Sequence, residues 1–236
     1  MIHRRGSANE AQCLEEDPQQ AEGIEMPPKD KGRPNKQRAT ELGDEIIVLA
    51  LTHFRLYGYE ATTIAGLAKA LECSKHTIYR RFPDKEALFA AALAFDRKIV
   101  LARVASIDTS ASNSLHALQQ ACHALFELAL EPDSTDLYRA CIGAVQQFPA
   151  VGRQFFQTEQ DLQSVLAGAL QQAQADGYIV PGAAAPLASQ LYHATIGEAF
   201  LHSLLGLEHV GTTADQADLF ARNWAMFVGA YGLKQP

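Results

Sequence analysis

The sequence predicts an all-α protein. Apolar residues recur at helical spacing from Ala39 onward, Gly and Pro interrupt that pattern at intervals suited to ordinary helices, and no stretch alternates as a half-buried strand would. With 47% hydrophobic and 20% charged residues, the 236-residue chain has the composition of a protein with a substantial core.

The elements follow in order. Residues 1–36 hold few large apolar side chains, Pro27, Pro28, Gly32 and Pro34, and many Gln and Glu, which predicts a disordered extension. Its end is a basic arm, Lys29, Lys31, Arg33 and Lys36, continuing to Arg38. A first helix is expected over about 40–57, with Ile46, Ile47, Ala50, Leu51, Phe54 and Tyr57 at helical spacing and Gly58 as its C-terminal cap. Thr62 or Thr63 can cap a short second helix with Ile64, Leu67, Ala68 and Leu71 inward. After a break at residues 71–73, Ser74 caps a third helix running to Arg81, and Asp84 caps a longer fourth, about 84–105. Further helices are expected at about 114–130, 135–148, 150–176, 183–205 and 213–232.

The net charge of −7 is unevenly spread. Residues 1–28 hold 2 Lys/Arg against 6 Asp/Glu, residues 29–103 hold 14 against 9, and residues 104–236 hold 4 against 12. Phosphate binding needs a local basic face, so only the middle segment is suited to nucleic acid.

That segment contains two short helices around a tight turn, residues 63–81, an arrangement that lets the second helix enter a major groove. Ile64, Leu67, Ala68, Leu71, Ile78 and Phe82 would fix the crossing of the helices. Ser74, Lys75, His76, Thr77, Tyr79, Arg80 and Arg81 would face outward, with hydroxyls, Lys and Tyr suited to phosphates and Lys, His and Thr suited to base edges.

Residues Phe54 to Leu88 carry a more specific pattern. Tyr57 before Gly58-Tyr59, the Thr62-Thr63-Ile64 helix start, Leu67-Ala68, the Ser74 cap, Ile78-Tyr79, Phe82 and Asp84-Lys85 before Leu88 together resemble the TetR family of bacterial regulators. The resemblance implies that Tyr79 and Lys85 contact phosphate, that residues 75–77 face base edges, and that Thr63 anchors the helix start at the backbone. The expected DNA-binding set is therefore Thr63, Ser74, Lys75, His76, Thr77, Tyr79, Arg80 and Lys85. Cys73, His76 and Arg81 depart from the family's usual residues, so an operator sequence does not carry over from relatives. The C-terminal half is similar to the AefR-like subgroup over Tyr138-Arg139 through Phe148-Pro149, Phe155-Phe156, and Ala173 to Pro181.

Three regions are thus expected: the extension with its basic arm (1–36), a helix-turn-helix DNA-binding domain (37–83), and a helical regulatory and dimerisation domain (84–236). The last two helices carry apolar residues on more than one face, so Leu201, Leu204, Leu205, Trp224 and Phe227 are expected at a homodimer interface. A two-fold dimer suits a pseudo-palindromic operator. Phe126, Tyr138, Phe148, Phe155, Phe156 and Tyr192 read as mostly core, with a small-molecule cavity of unassigned lining among them.

Catalysis is not expected: there is no Gly-rich phosphate loop, nucleophile elbow, HExxH or kinase-type motif. No cofactor or metal is expected either. Cys13, Cys73, Cys122 and Cys141 stand apart without metal-ligand spacing, and His116, His123, His193 and His202 share no such spacing with a carboxylate or thiol. Residues 1–16 have charges but no apolar run, and the longest uncharged stretch, Gly177 to Gly197, is interrupted by Pro, Ser, Gln and His. The expectation is a cytoplasmic DNA-binding regulator, a repressor released by a small hydrophobic effector. The alternative is a constitutive or architectural DNA-binding protein without a ligand.

Overall fold

The computed structural model describes residues 36–106, 112–207 and 213–233. They form α1 (Lys36–Ala61), α2 (Ile64–Ala70), α3 (Lys75–Tyr79), α4 (Lys85–Ala105), α5 (Ser114–Leu130), α6 (Pro132–Val145), α7 (Pro149–Ala175), α8 (Ala184–Leu204) and α9 (Thr213–Tyr231). Among the described residues no strand forms, and the one extended pairing is an isolated antiparallel bridge between Ile179 and Gly232. The fold class is as the periodicity predicted. The expected disordered extension lies outside the described residues apart from Lys36, where α1 opens, so Lys36 and Arg38 of the basic arm stand on helical backbone.

Besides α1, which opens at Lys36, two helix starts fall earlier than their apolar pattern suggested. Pro132 and Pro149 occupy the first turns of α6 and α7, where a missing N–H costs nothing because no intrahelical partner exists there. Gly58 does end the regular part of α1, but with φ 75° and ψ 176°, outside the left-handed helical well. A Cβ there would meet nothing within 4 Å, so the requirement for glycine is conformational and not steric crowding.

Two apolar clusters hold the helices. One joins Ile46 and Phe54 of α1, Leu67 of α2, Ile78 of α3 and Leu88 and Phe89 of α4 to Leu137 and Cys141 of α6 and Val151 of α7. The other gathers Leu125 and Phe126 of α5, Leu166 and Leu170 of α7, Leu191 of α8 and Phe220 of α9.

Trp224 and Phe227, expected at a dimer interface, are buried in this second cluster at 8% and 5% exposure. The reason lies in the spacing. Phe220, Trp224, Phe227 and Tyr231 form a single stripe on α9, with successive rings 5.2–6.4 Å apart, and that stripe packs into the protomer's own core. Leu201 and Leu205 do remain outside, at 51% and 62% exposure, with Leu204 half-buried. Phe156, read as core, is instead exposed.

Candidate nucleic-acid interface and effector cavity

The helix-turn-helix is built from its caps. Thr63 adopts extended backbone before α2 and its hydroxyl accepts the Gly66 N–H at 3.1 Å, while the preceding Thr62 is buried and donates to the Gly58 carbonyl at 2.8 Å. Thr63 is therefore the cap and Thr62 a lock on the α1 end. Ser74 repeats the device for α3, accepting the Thr77 N–H at 3.1 Å and pairing with the Thr77 hydroxyl at 2.9 Å. Asp84 caps α4 through the Ala87 N–H at 2.7 Å. Each cap satisfies a backbone donor that the helix start leaves without an intrahelical partner.

Between the helices the chain reverses through residues 71–74, with Glu72 at φ 50° and the Cys73 N–H returning to the Ala68 carbonyl at 2.9 Å. Ile78 is fully buried, while Lys75 and His76 of α3 and Arg80 just after it are exposed and Tyr79 is 47% exposed. These four make one polar surface. Thr77 is half-buried and engaged with Ser74. Arg81 is half-buried and turns back, its Nη1 donating to the Thr77 carbonyl at 3.3 Å.

Lys85 does more than its sequence position suggested. Its ammonium donates to the Tyr59 and Glu60 carbonyls at 2.9 and 3.4 Å and lies 4.1 Å from the centroid of the Tyr59 ring. Lys85 thus closes the last carbonyls of α1 onto the start of α4. Burial, assisted by Glu86, Glu60 and Asp84, pushes the Tyr59 hydroxyl up to about 12.

Behind the head, α4 runs between the helix-turn-helix and a cavity of about 80 Å³. Asp96 and Val100 of α4, Leu125 of α5, Leu137 of α6, Phe155 of α7 and Tyr192 of α8 are among its lining residues. Along the C-terminal half of α4, Val100 lines the cavity, whereas Ile99 is exposed and Val104 is buried in the core.

Ion pairs tie this region together. Arg55 of α1 reaches Asp96 with Nη2 and Asp133 with Nη1, each at 2.6 Å. Arg97 Nε donates to Asp161 of α7 at 2.6 Å, and Arg103 meets Glu131 in two parallel bonds of 2.5 and 2.7 Å. The Arg103 pair holds the Glu131 carboxyl below its usual range. Sequence reasoning missed the Arg55 bridge, because its partners lie 41 and 78 positions away.

Among the described residues no group of His, Cys, Asp and Glu could hold a metal ion, and no helix is long and apolar enough to cross a membrane.

Comparison with known proteins gives these features a common origin. A model of the N-terminal domain of the tetR family of bacterial regulatory proteins matches residues 46–92, which include both helix-turn-helix caps and the start of α4. A model of the C-terminal domain of AefR-like transcriptional repressors matches residues 116–233, half of the chain. The chain belongs to the TetR family. It is a DNA-binding transcriptional regulator with a helix-turn-helix head and a helical C-terminal body. A TetR-family structure from Mesorhizobium loti superposes with a TM-score of 0.76 at 22% identity, covering 83% of this chain and 99% of that one. The flavonoid-responsive regulator FrrA gives 0.68 at 24% identity, covering 83% and 100%. A regulator from Pseudomonas syringae gives 0.63 at 24% identity with the same coverage. At such identities the likeness is one of fold. No curated protein sequence matches the chain.

Proposed function

We propose that this TetR-family member is a repressor: a homodimer holds a pseudo-palindromic operator and a small hydrophobic molecule in the cavity releases it. The supporting observation is the course of α4. Its first residue, Lys85, is bonded to the head, and its Asp96 and Val100 line the cavity, so an occupant that displaces α4 also displaces the recognition surface.

On this reading Lys75 and His76 read base edges, Tyr79 and Arg80 bind phosphates, and Thr63, Ser74 and Thr77 set the helices that present them. Lys85 positions the head and offers its remaining donor to the backbone. The two heads of a dimer must fit successive major grooves about 34–36 Å apart, so a shift of a few ångströms breaks simultaneous docking. The dimer face would lie on the outward side of α8 and α9, where Leu201, Leu205 and Met226 are exposed. The boundary between head and body is placed near residue 83, and the chain acts in the cytoplasm.

A ligand shifts the balance only by its differential affinity for the two forms, and near-complete release needs about 5.5 kcal/mol. Linkage requires operator DNA to weaken ligand binding by the same factor. The experiment is footprinting on the DNA upstream of the protein's own gene, followed by ligand titration with and without saturating operator. Protection that is lost with ligand, and weaker ligand binding on DNA, are expected. Equal affinities in the two titrations would leave a constitutive repressor as the better reading.

A further inference from the structure

Apart from the Tyr192 hydroxyl, which can donate or accept, the polar side chains of the cavity lining face an occupant as acceptors. Ser134 spends its hydroxyl proton on the Leu128 carbonyl at 2.8 Å, and Thr158 spends its own on the Gln154 carbonyl at 3.3 Å, so both have only lone pairs to offer an occupant. Asp96 is the one Asp, Glu, Lys, Arg or His among the lining residues, and its Oδ1 already accepts from Arg55. Arg55 also pairs with Asp133, whose side chain is 69% exposed, so its single positive charge is shared between two carboxylates. Burial raises the Asp96 carboxyl despite the opposing pull of Arg55, so the existing partner does not fully offset desolvation.

We propose that the cavity takes a compact apolar organic cation, one ammonium on a single ring or short chain, whose N–H groups bind Asp96, Ser134 and Thr158. This rests on the reading of the cavity as the effector site and names its ligand class. An ammonium supplies donors without an acceptor, which suits the lone pairs of Asp96, Ser134 and Thr158. Asp96 in the wall attracts an ammonium and repels a carboxylate placed in the same cavity. Phe155, Tyr192 and Phe200 supply ring faces, which attract cations. Size sets the upper limit: an apolar cavity of about 150 Å³ admits benzene, so about 80 Å³ leaves room for one ring only after small side-chain movements. The cation competes with Arg55 for one carboxylate, and so weakens the tie between α1 and α4.

The test is calorimetric titration of the full-length protein with three molecules of one shape: benzylammonium, benzyl alcohol and benzoate. Benzylammonium is expected to bind at least tenfold more tightly than the other two, and Asp96→Asn, which keeps the shape and removes the charge, is expected to abolish that preference. Equal or tighter binding of the alcohol or benzoate, no binding of any of the three, or an ammonium preference that survives in Asp96→Asn overturns the proposal. The comparison on the unaltered protein decides the matter even if the variant does not fold. DNA release is not the readout. Preference for the cation without operator release upholds this assignment against the repressor mechanism, and release by an inducer of another charge class does the reverse.

Discussion

The Lys85 ammonium and the Tyr59 ring lie 4.1 Å apart, with the same ammonium bonded to the Tyr59 carbonyl at 2.9 Å. One side chain therefore joins the last turn of α1 to the first turn of α4. Lys85→Ala removes a cation–ring contact and two charge-assisted hydrogen bonds, and is expected to cost about 1–3 kcal/mol of stability. Lys85→Arg should recover part of this. Thermal unfolding of the three proteins checks it, and an unchanged Tm for Lys85→Ala would count against the joint.

Substitution on the α3 surface should divide by chemistry. Tyr79→Phe and Arg80→Ala are expected to weaken binding to all DNA sequences and to flatten the salt dependence, by about one unit of slope for the lost arginine. Changes at Lys75 or His76 should instead alter which base pairs are preferred, with a discrimination of about 1–3 kcal/mol at stake per good contact. Salt titrations and binding-site selection separate the two outcomes. Wild-type behaviour in both phosphate variants would place the recognition surface elsewhere.

The helix-turn-helix was the most legible part of the chain. Caps announce themselves by residue type: Ser74 and Asp84 fulfil the role their position predicted, and of the two candidates Thr62 and Thr63 it is Thr63 that caps α2. Partner choice is harder to read, because it depends on distant segments meeting. The resemblance gives Lys85 a phosphate and says nothing of Tyr59, and the stripe that Trp224 and Phe227 share with Phe220 gives no sign in sequence that it packs into the protomer's own core. A hydrophobic stripe tells that something covers it but not whether the cover belongs to the same chain.

Gly58→Ala should destabilise by about 1–3 kcal/mol, since alanine pays for the positive φ with strain and has no clash to relieve. Chemical denaturation should show a lower midpoint at unchanged slope. A neutral result would mean that the α1 end relaxes to another backbone conformation.

Alkaline stability follows from the buried thiols. Burial raises Cys122 to about 11 and Cys141 to about 12, above an ordinary thiol value of 9.0. Above pH 9 the unfolded chain releases these protons while the native state keeps them, so the unfolded state binds fewer protons and stability falls as pH rises toward 11–12. Below pH 9 the contribution is complete. Cys122 and Cys141 should resist iodoacetamide at pH 8 until the protein unfolds. Rapid native-state alkylation at either position would contradict their burial.

For assembly, Leu205→Glu places a charge on the exposed apolar residue just after α8 and is expected to give monomers that lose specific operator binding. Sedimentation at micromolar concentration checks both proteins. A wild-type monomer would remove the proposed dimer, and a dimeric Leu205→Glu would move its interface away from this end of α8.

The cluster that holds α1 to α4 also includes Leu137, Ala140, Cys141 and Ala144 of α6 and Val151 of α7. The head is therefore not a cassette that can be transplanted. A chimera spliced near residue 83 would leave the α1 surface facing whatever α6 the new body brings, and its own α6 facing an unfamiliar α1. Grafts that carry matching α6 residues along with the head should fold, and those that move the helix-turn-helix alone should not. Any reassortment of heads and bodies among relatives would face the same restriction, with exchange at α1 answered by change at α6.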